Sequence, residues 1–338
     1  MKYAVEFLTE KIYIIILNYN SAADTVECLR SLIKIELINS SQIILVDNKS
    51  TDNSELIIDD LLKNEFNDYA KYKKEKNNFI NIHGTDIGTN IIFIKSDENK
   101  GFSAGNNIAL DYISKKNDGN YFWFLNNDTV QDKYALTEMI GFMEHESLVL
   151  TSSVLYDYIM PRKIQAIGIA LNRPIYTMPI VKDDFNCDMQ NKCISYEEAR
   201  KIYSDIYALP GASFMLSKKG LDLIGGRFDE SYQFYFEEAE IARKLNGKAR
   251  YAPCLSSVVW HKGGGSSNAK GSYFISYHTT RSCLLFVKRY KWTDLPFATA
   301  FIVVKAIYCY IQGRKQETLG MWDGLKKGLL YIATSEKK

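Results

Sequence analysis

Four short apolar runs, each followed by polar residues, constrain the fold of this chain more than any other feature. The runs cover residues 12–17, 42–46, 91–94 and 121–125. Continuous apolar runs of this length are typical of strands that are covered on both faces of a parallel sheet. Ligands bind outside the carboxyl ends of such strands, where side chains and helix N-termini converge. The pattern therefore predicts an α/β fold with a mostly parallel sheet and a polar pocket at one edge.

The segments between and after these runs predict the remaining elements. Apolar residues recur at helical spacing after Asp24, and a second helix is predicted over residues 103–115. Residues 59–81 are rich in Lys, Asn and Glu and predict a surface helix and loop. Residues 152–217 predict an antiparallel extension of the sheet, with Gly168, Pro174 and Pro179 as breaks. A helix over 236–245, a strand over 256–260 and three C-terminal helices complete the prediction.

Charge and cysteine content exclude several classes of protein. The chain has 42 basic and 40 acidic residues, so no overall field attracts nucleic acid, and a nucleic-acid partner is not expected. The six cysteines form no C-x-x-C pair, which favours reduced thiols over a zinc site or a disulfide framework. The start of the sequence lacks the features of a secretory signal, and we expect a cytoplasmic location.

The polar residues at the strand ends favour a nucleotide ligand. Neither a G-x-G-x-x-G motif nor a P-loop motif follows the first strand. The strand ends instead contribute carboxylates and amides, namely Asp47, Asp52, Asp97, Asn99 and Asp128. Such groups bind a base and ribose, and they hold a divalent cation against phosphates. The alternatives are an Asx turn for Asp47 and Asp52, and a helix N-cap for Asp128.

Several ordered motifs between residues 11 and 267 resemble the family 2 inverting glycosyltransferases, especially their rhamnosyltransferase-like branch. They are Asn18-Tyr19-Asn20, Asp47-Asn48-Lys49-Ser50-Thr51-Asp52, Asn99-Lys100-Gly101-Phe102, Asn106-Asn107, Asn126-Asn127-Asp128, Pro210-Gly211-Ala212, Phe228-Asp229-Glu230, Glu237-Glu238-Ala239-Glu240 and His261 with its glycines. The resemblance implies a GT-A fold, a Rossmann-like sheet flanked by helices, here with a C-terminal helical extension. It also implies a nucleoside diphosphate sugar donor, with dTDP- or UDP-sugars expected, and a saccharide or polyprenyl-linked acceptor.

The resemblance also implies a role for individual residues. Those implied for the nucleotide-sugar are Asn18, Asn20, Asp47, Asp52, Asp97, Asn99, Gly101, Asn126, Lys262 and Arg281. Asp128 and His261 are implied as ligands of Mg²⁺ or Mn²⁺. Asn126 stands where the family has the first aspartate of its D-x-D motif. For His261 the alternative is a structural histidine, and for Arg281 it is a helix-surface arginine.

The implied catalytic base is Glu238, because the family has a Glu-Asp pair at this position and its second residue deprotonates the acceptor. This chain has Glu237-Glu238, so the matching side chain is one methylene longer, and Glu237 is the alternative base. A third interpretation is that Glu237, Glu238 and Glu240 are first-turn acids that stabilise the helix dipole.

Three regions are expected. Residues 1–215 form a nucleotide-sugar-binding α/β region, residues 205–268 form the acceptor and catalytic region of the same domain, and residues 269–338 form a helical tail. In the tail, basic residues alternate with aromatic ones: Lys288, Arg289, Lys291, Lys305, Arg314, Lys315, Lys326 and Lys327 with Trp292, Phe297, Phe301, Tyr308, Tyr310 and Trp322. Peripheral attachment to the inner face of the membrane, a homodimer interface and packing onto the catalytic domain are the alternatives. The apolar run 295–311 is interrupted by Lys305 and is expected to be buried or interfacial rather than transmembrane.

Two other functions are open at this stage. A sugar-phosphate nucleotidyltransferase uses a similar sheet and metal, but it generally has a glycine-rich basic loop where this chain has Asn18-Tyr19-Asn20-Ser21-Ala22. A catalytically inactive paralogue would bind a nucleotide-sugar or a glycan as a partner module. The carboxylates and the histidine retained at Asp128, Glu238 and His261 favour the enzyme, which would act in cell-surface polysaccharide synthesis.

Overall fold

The centre of the protein is one large sheet. The strands from the N-terminal half of the chain pair mostly in parallel within it. A computed structural model describes residues 10–66, 69–85, 88–172, 176–180, 208–263 and 271–335. The strands described there are β1 Lys11–Asn18, β2 Ser41–Asp47, β3 Tyr69–Glu75, β4 Asn78–His83, β5 Ile91–Lys95, β6 Gly119–Asn126, β7 Thr129–Gln131, β8 Leu150–Asp157, β9 Ile164–Ala166, β10 Gly168–Asn172, β11 Tyr176–Ile180, β12 Ser213–Ser217 and β13 Tyr251–His261. The main sheet has the order β4-β3-β5-β2-β1-β6-β12-β8-β13-β7, with β9 on β8, and β10 and β11 form a separate hairpin.

Helices flank this sheet and extend it at the C-terminus. Within the described residues they are α1 Ala22–Leu32, α2 Ser54–Leu61, α3 Phe102–Ser114, α4 Ala135–Glu146, α5 Lys218–Leu223, α6 Glu237–Leu245, α7 Gly271–Tyr290, α8 Leu295–Ile311 and α9 Lys315–Ser335. Helix α3 packs against β1 and β2, whereas α4 packs against β8 and β13. The predicted mostly parallel α/β fold with a C-terminal helical extension is confirmed.

The parallel pairing at the centre is the one that the apolar runs predict. Strand β1 pairs in parallel with both β2 and β6, so that Asn18 lies beside Asp47 and Leu17 beside Asn126. The residues of β1 from Ile12 to Ile16 are buried on both faces of the sheet. The polar ends of β1, β2 and β6 therefore meet at one edge, as parallel strands require.

The expectation of a surface helix and loop over residues 59–81 is wrong for most of that segment. A hairpin of β3 and β4 forms the edge of the sheet, and β3 pairs in parallel with β5. Lys71 on β3 is buried because its ammonium group contacts Glu55 and Asp59 of α2. A lysine-rich sequence thus forms β3, which lies between β5 and the edge strand β4.

Close packing between α7 and α9 organises the C-terminal helices. Gly320, Gly324 and Gly328 lie four residues apart on α9, and a Cβ atom at the first two would clash with the carbonyl oxygens of Tyr273 and Tyr277 on α7. The absence of side chains lets the two backbones approach closely. At its other end α7 contacts the residue that precedes α6, where Phe286 packs on Phe236 with ring centroids 5.6 Å apart.

Candidate functional site

A pocket of about 440 Å³ opens at the carboxyl ends of the central strands. Its polar wall consists of Asn126 at the end of β6, Gln165 of β9, His261 at the end of β13, and Glu237 and Glu238 at the start of α6. The rest of its lining is largely apolar and includes Phe102, Leu155, Ile169, Pro210, Phe234 and Tyr235. Of the residues predicted from sequence, this pocket joins Asn126, His261, Glu237 and Glu238.

Asp128 and His261 form a pair at one end of this pocket. The Nε2 atom of His261 lies 3.3 Å from Oδ1 of Asp128, and both residues are largely buried. Asp128 follows β6 and precedes the short strand β7, so it does not cap α4, which begins only at Ala135. The helix-cap alternative for Asp128 is therefore wrong.

Gln165 of β9 orients His261. Its Oε1 atom lies 2.6 Å from Nδ1 of the imidazole, and its amide nitrogen lies 3.4 Å from the backbone oxygen of the same histidine. With Oε1 as acceptor, Nδ1 is the donor of this hydrogen bond, and Nε2 is directed toward Asp128. This Nε2 is buried and makes no hydrogen bond within the described part of the chain.

One carboxylate and one imidazole can contribute to a divalent-cation site. Mg²⁺ and Mn²⁺ prefer oxygen ligands such as the Asp128 carboxylate, and phosphate oxygens of a bound nucleotide are of the same kind. Clusters of three or more His, Cys, Asp or Glu side chains that could hold a metal are absent from the described residues. The protein's share of a coordination sphere would consist of Asp128 and His261, and phosphate oxygens and water would complete it.

A buried hydrogen-bond network supports the strand ends beside this pair. Asn127 donates from Nδ2 to the hydroxyl of Thr25 at 2.9 Å, and that hydroxyl donates to Oδ1 of Asn18 at 2.8 Å. Asn18 in turn donates to Oδ1 of Asp47 at 2.7 Å. The loops after β1, β2 and β6 are therefore held together by side chains from each strand end.

Asp47 is 1% exposed and supports the loop that follows β2. Its Oδ2 accepts the Ser50 backbone N–H at 3.0 Å, and its Oδ1 accepts the Ser50 hydroxyl at 2.5 Å. Asn20, which has a positive φ of 51°, closes the neighbouring loop by accepting the Thr51 backbone N–H at 2.7 Å. These bonds are those of the Asx-turn alternative, so the predicted contact of Asp47 with a nucleotide would be added to a structural role.

Asn99 and Gly101 connect the loop after β5 to the loop after β2 and to the segment before α6. Oδ1 of Asn99 accepts from the Asn48 amide at 3.1 Å and from the Gly101 backbone N–H at 3.0 Å. Gly101 has φ +98°, and a Cβ atom there would clash with the backbone oxygen of Gln233. Residue 101 must therefore be glycine, both for its φ and for this close contact. Through it the predicted nucleotide loop contacts the segment that leads into α6.

The segment before α6 holds the two glutamates in a strained turn. Tyr235 and Phe236 both have positive φ values, 66° and 73°, which are uncommon for bulky residues. Phe236 is fully buried against α7, and this packing compensates for the strain. Strained backbone of this kind is concentrated at functional sites, where the surrounding structure imposes it. The turn directs both Glu237 and Glu238 to the pocket.

Burial perturbs the ionisation of this glutamate pair. Burial raises the pKa of both carboxyl groups above the ordinary value of 4.5, and the charge of Glu238 raises the pKa of Glu237 further. Oε1 of Glu237 has no hydrogen-bond partner among the described residues. The pair therefore binds a proton more readily than an isolated glutamate, because two negative charges are unfavourable together in a buried site.

Glu240, the third acid of this turn, lies apart from the pocket. Its Oε1 accepts the Tyr290 hydroxyl of α7 at 2.6 Å, and Lys244 lies 3.7 Å from the same oxygen. Glu240 thus connects α6 to α7.

Four other predicted residues lie away from the Asp128–His261 pair or are engaged elsewhere. Asp52 is exposed and accepts the Ser54 backbone N–H at 2.9 Å, and Asp97 is exposed at the loop after β5. The Lys262 ammonium group lies 2.6 Å from both Asp24 and Glu27, which raises its pKa. Arg281 donates to the backbone oxygen of Ser231 at 2.8 Å. Their nucleotide contacts stay predictions.

Sequence reasoning missed Gln165, Thr25 and the role of Gly211. A Cβ atom on Gly211 would clash with the carboxylate of Glu238, so this glycine makes the space in which that side chain lies. Its place in Pro210-Gly211-Ala212 was a signal, since glycine often marks close approach of another group. Gln165 and Thr25 carry no local signal, because they act through residues distant in the sequence.

Substituting Gly211 tests the placement of Glu238 without removing the carboxylate. We expect Gly211→Ala to lower kcat by about a hundredfold, because a displacement of about 1 Å at a reacting group has an effect of this size. Nucleotide affinity should change much less than kcat, because the substitution displaces Glu238 rather than a residue predicted to contact the nucleotide. Steady-state kinetics and calorimetry measure the two effects, and Gly225→Ala, where a Cβ atom meets open space although φ is +97°, is the control. Equal kinetics for both variants would contradict the placement.

Comparison with known proteins identifies the family. The glycosyl transferase family 2 model matches residues 13–224, which is more than half of the chain. The chain belongs to glycosyl transferase family 2. The match includes Asp47, Asp128 and Gly211 but ends before Glu238 and His261, so the assignment of those two residues depends on the geometry of the pocket.

Solved structures with the same fold include two transferases bound to a nucleotide-sugar. The mannosyltransferase PcManGT from Pyrobaculum calidifontis, in complex with GDP-Man and Mn2+, has a TM-score of 0.54 at 12% identity, with 97% of this chain and 90% of that chain covered. S. aureus TarS 1-349 in complex with UDP-GlcNAc has a TM-score of 0.50 at 17% identity, with 82% and 66% covered. GalNAc-T7 with UDP, GalNAc and Mn2+ has a TM-score of 0.55 at 12% identity, with 76% and 44% covered. These similarities show the GT-A fold.

One curated relative is a teichoic acid polymerase. The chain is 32% identical over 127 residues to the teichoic acid poly(glycerol phosphate) polymerase of Staphylococcus epidermidis. That match covers 38% of this chain and 14% of the relative, so this chain spans only a small part of that protein.

Proposed function

We propose that this chain is an inverting, metal-dependent glycosyltransferase that transfers a hexose from a nucleoside diphosphate to a saccharide or lipid-linked acceptor during cell-surface polymer synthesis. One observation carries the proposal: His261, which is paired with Asp128, lines the same pocket as Glu237 and Glu238. The family match, the fold and the teichoic acid relative support the class of reaction.

The two halves of the pocket have different tasks in this proposal. A cation held by Asp128 and His261 would stabilise the negative charge that develops on the leaving diphosphate. Asn18, Asp47 and Asn99 keep the strand-end loops in place for the base and ribose. Glu238 accepts the proton of the acceptor hydroxyl as that oxygen attacks the anomeric carbon from the face opposite the leaving group. Direct displacement of this kind inverts the anomeric configuration.

The donor is proposed to be a dTDP- or UDP-sugar, with rhamnose among the candidate sugars from the resemblance to the rhamnosyltransferase-like branch. TarS binds UDP-GlcNAc and PcManGT binds GDP-Man, so the family fold accepts several bases. The apolar and aromatic remainder of the pocket, with Phe102, Phe234 and Tyr235, is suited to the ring face of a sugar.

A donor panel tests this function. Purified protein is incubated with Mn²⁺ and with UDP-, dTDP- and GDP-sugars in turn, and release of the nucleoside diphosphate is measured. Hydrolysis or transfer with at least one donor supports the proposal. If no donor is consumed but a sugar phosphate and a nucleoside triphosphate are joined, the protein is a nucleotidyltransferase; binding of a donor without any turnover would indicate an inactive paralogue.

Gln165 offers a separate test of the metal site. We expect Gln165→Leu to weaken Mn²⁺ binding in the presence of UDP by about tenfold, because partners that orient a histidine ligand have effects of this size. Gln165→Glu keeps an acceptor for Nδ1 of His261 and should retain most of the affinity. Titration calorimetry measures Mn²⁺ affinity directly. Identical affinities for the wild type and the leucine variant would show that Gln165 does not orient a ligand.

A further inference from the structure

Helix α8 buries mainly small side chains and exposes most of its large apolar ones. The buried positions recur every three or four residues and are Ala298, Ile302, Ala306 and Cys309. Phe297 is 71% exposed, Val304 63% and Ile311 73%. A helix on the surface of a protein in water has the opposite pattern, with polar residues facing out. The outer side of α8 is therefore suited to an apolar environment.

The exposed apolar surface extends to α9 and is bordered by aromatic residues. We call it the apolar face, consisting of Phe297, Val304, Ile307 and Ile311 of α8 with Trp322 and Leu330 of α9. Trp292, Tyr308 and Tyr310 are exposed beside it. Tryptophan and tyrosine are enriched where one end of a side chain meets lipid and the other meets water.

The charge of this region complements an anionic surface. Residues 288–335 contain eight basic and three acidic side chains, and the pairing of Arg289 with Asp229 leaves an excess of four positive charges, whereas the whole chain has a net charge of only +2. Arg314 lies over the Tyr308 ring at 5.7 Å, and Lys326 and Lys327 are exposed one turn after Trp322. Basic residues beside an apolar helical face are typical of segments that bind anionic lipid.

We propose that the apolar face is a docking surface for an anionic lipid bilayer, on which α8 lies without crossing it. Trp292–Ile311 is long and apolar enough to span a membrane by composition, with a mean hydropathy of 1.5. Spanning, however, would remove the buried residues of α8 from their contacts with α9, where Ala306 and Cys309 pack with Met321. The glycines of α9 allow it to pack closely on α7, and α7 in turn packs on Phe236 before α6.

A second copy of the chain suits this surface less well. An isologous dimer would bring the same excess of positive charge together from both subunits, and like charges at an interface are unfavourable. An anionic bilayer instead neutralises that charge and buries the aromatic residues at their preferred depth. The inference does not depend on the proposed donor or acceptor, although a lipid-linked acceptor would lie at such a surface.

Flotation of the full chain with lipid vesicles tests the proposal. We expect binding to phosphatidylcholine vesicles that contain phosphatidylglycerol, much weaker binding to phosphatidylcholine alone, and release by high salt. The triple variant Phe297→Ser, Val304→Ser, Ile311→Ser should lower the partition coefficient by at least about tenfold. The double variant Lys326→Gln, Lys327→Gln should lower it severalfold on the anionic vesicles only.

The control variant is Ile80→Ser with Ile82→Ser, which removes exposed apolar side chains from β4 and should not change flotation. Donor turnover should be unchanged in all of these variants, which shows that each is folded. Three results would overturn the proposal: no flotation of the wild type, flotation that resists high salt and alkaline extraction, as a spanning helix would, or a dimer in solution that the serine variant dissociates.

Discussion

Glu238→Gln is expected to lower kcat by about a hundredfold or more, whereas nucleotide affinity and folding should change little. Glutamine has nearly the shape of glutamate, but its amide does not accept the proton that the acceptor hydroxyl loses. The carboxylate of Glu238 lies over Gly211 in the pocket that also contains Asn126 and His261. Steady-state kinetics with the donor found in the panel measure kcat, and calorimetry measures affinity.

The neighbouring acids are matched controls for this substitution. Glu240→Gln keeps an oxygen that can accept the Tyr290 hydroxyl but removes the negative charge beside Lys244, and it should affect stability more than kcat. If all three acids only stabilised the helix dipole, each substitution would cost less than about 1 kcal/mol and leave turnover nearly unchanged. If Glu237→Gln is inactive and Glu238→Gln turns over normally, Glu237 is the base instead.

The pH profile provides an independent measurement on the same group. Burial raises the pKa of Glu238, and the base must be deprotonated to act. Turnover should therefore rise with pH through this raised pKa, and the acid limb should have its midpoint above the ordinary glutamate value of 4.5. An acid limb centred at or below 4.5 would contradict a buried carboxylate as the base.

The second large effect concerns Asp128. We expect Mn²⁺ to increase the affinity for UDP by at least about tenfold in the wild type, because two protein ligands and the diphosphate complete one coordination sphere together. Asp128→Asn should abolish this increase and lower turnover by at least about a hundredfold. Calorimetric titrations of UDP with and without Mn²⁺ measure the coupling.

An exposed aspartate serves as the control for Asp128. Asp60→Asn changes an exposed residue of α2 that accepts the Asn64 side-chain amide at 3.0 Å and is not a predicted site residue, so it should leave the coupling between metal and nucleotide intact. Equal UDP affinity in the wild type with metal, the wild type without metal and Asp128→Asn would show that Asp128 is not a metal ligand.

Sequence could predict the features that depend on periodicity and strand order. Because β1, β2 and β6 are parallel and buried, their polar ends had to meet at one edge, and Asn18, Asp47 and Asn126 do lie there. The β3–β4 hairpin was missed because its lysines resemble a solvent-exposed helix. Only the contact of Lys71 with Glu55 and Asp59 of α2 explains why such a residue is buried in a strand.

The contacts within the site were less predictable because they join residues far apart in sequence. Gln165 lies 96 positions before His261, and β9, which carries it, has only three residues. Lys262 was expected on the diphosphate, yet its ammonium group lies between Asp24 and Glu27 of α1. The positions of both side chains depend on tertiary packing that no local pattern records.

The configuration of the released sugar tests the central claim, a direct displacement with Glu238 as base, most directly. Proton NMR of the hydrolysis of an α-linked nucleotide-sugar, recorded before the anomers equilibrate, identifies the anomer that forms first. Transferred product, where an acceptor is known, is analysed in the same way. We expect the wild type to form the β anomer, and Glu238→Gln to form much less of the β anomer. Release of the α anomer would contradict the central claim.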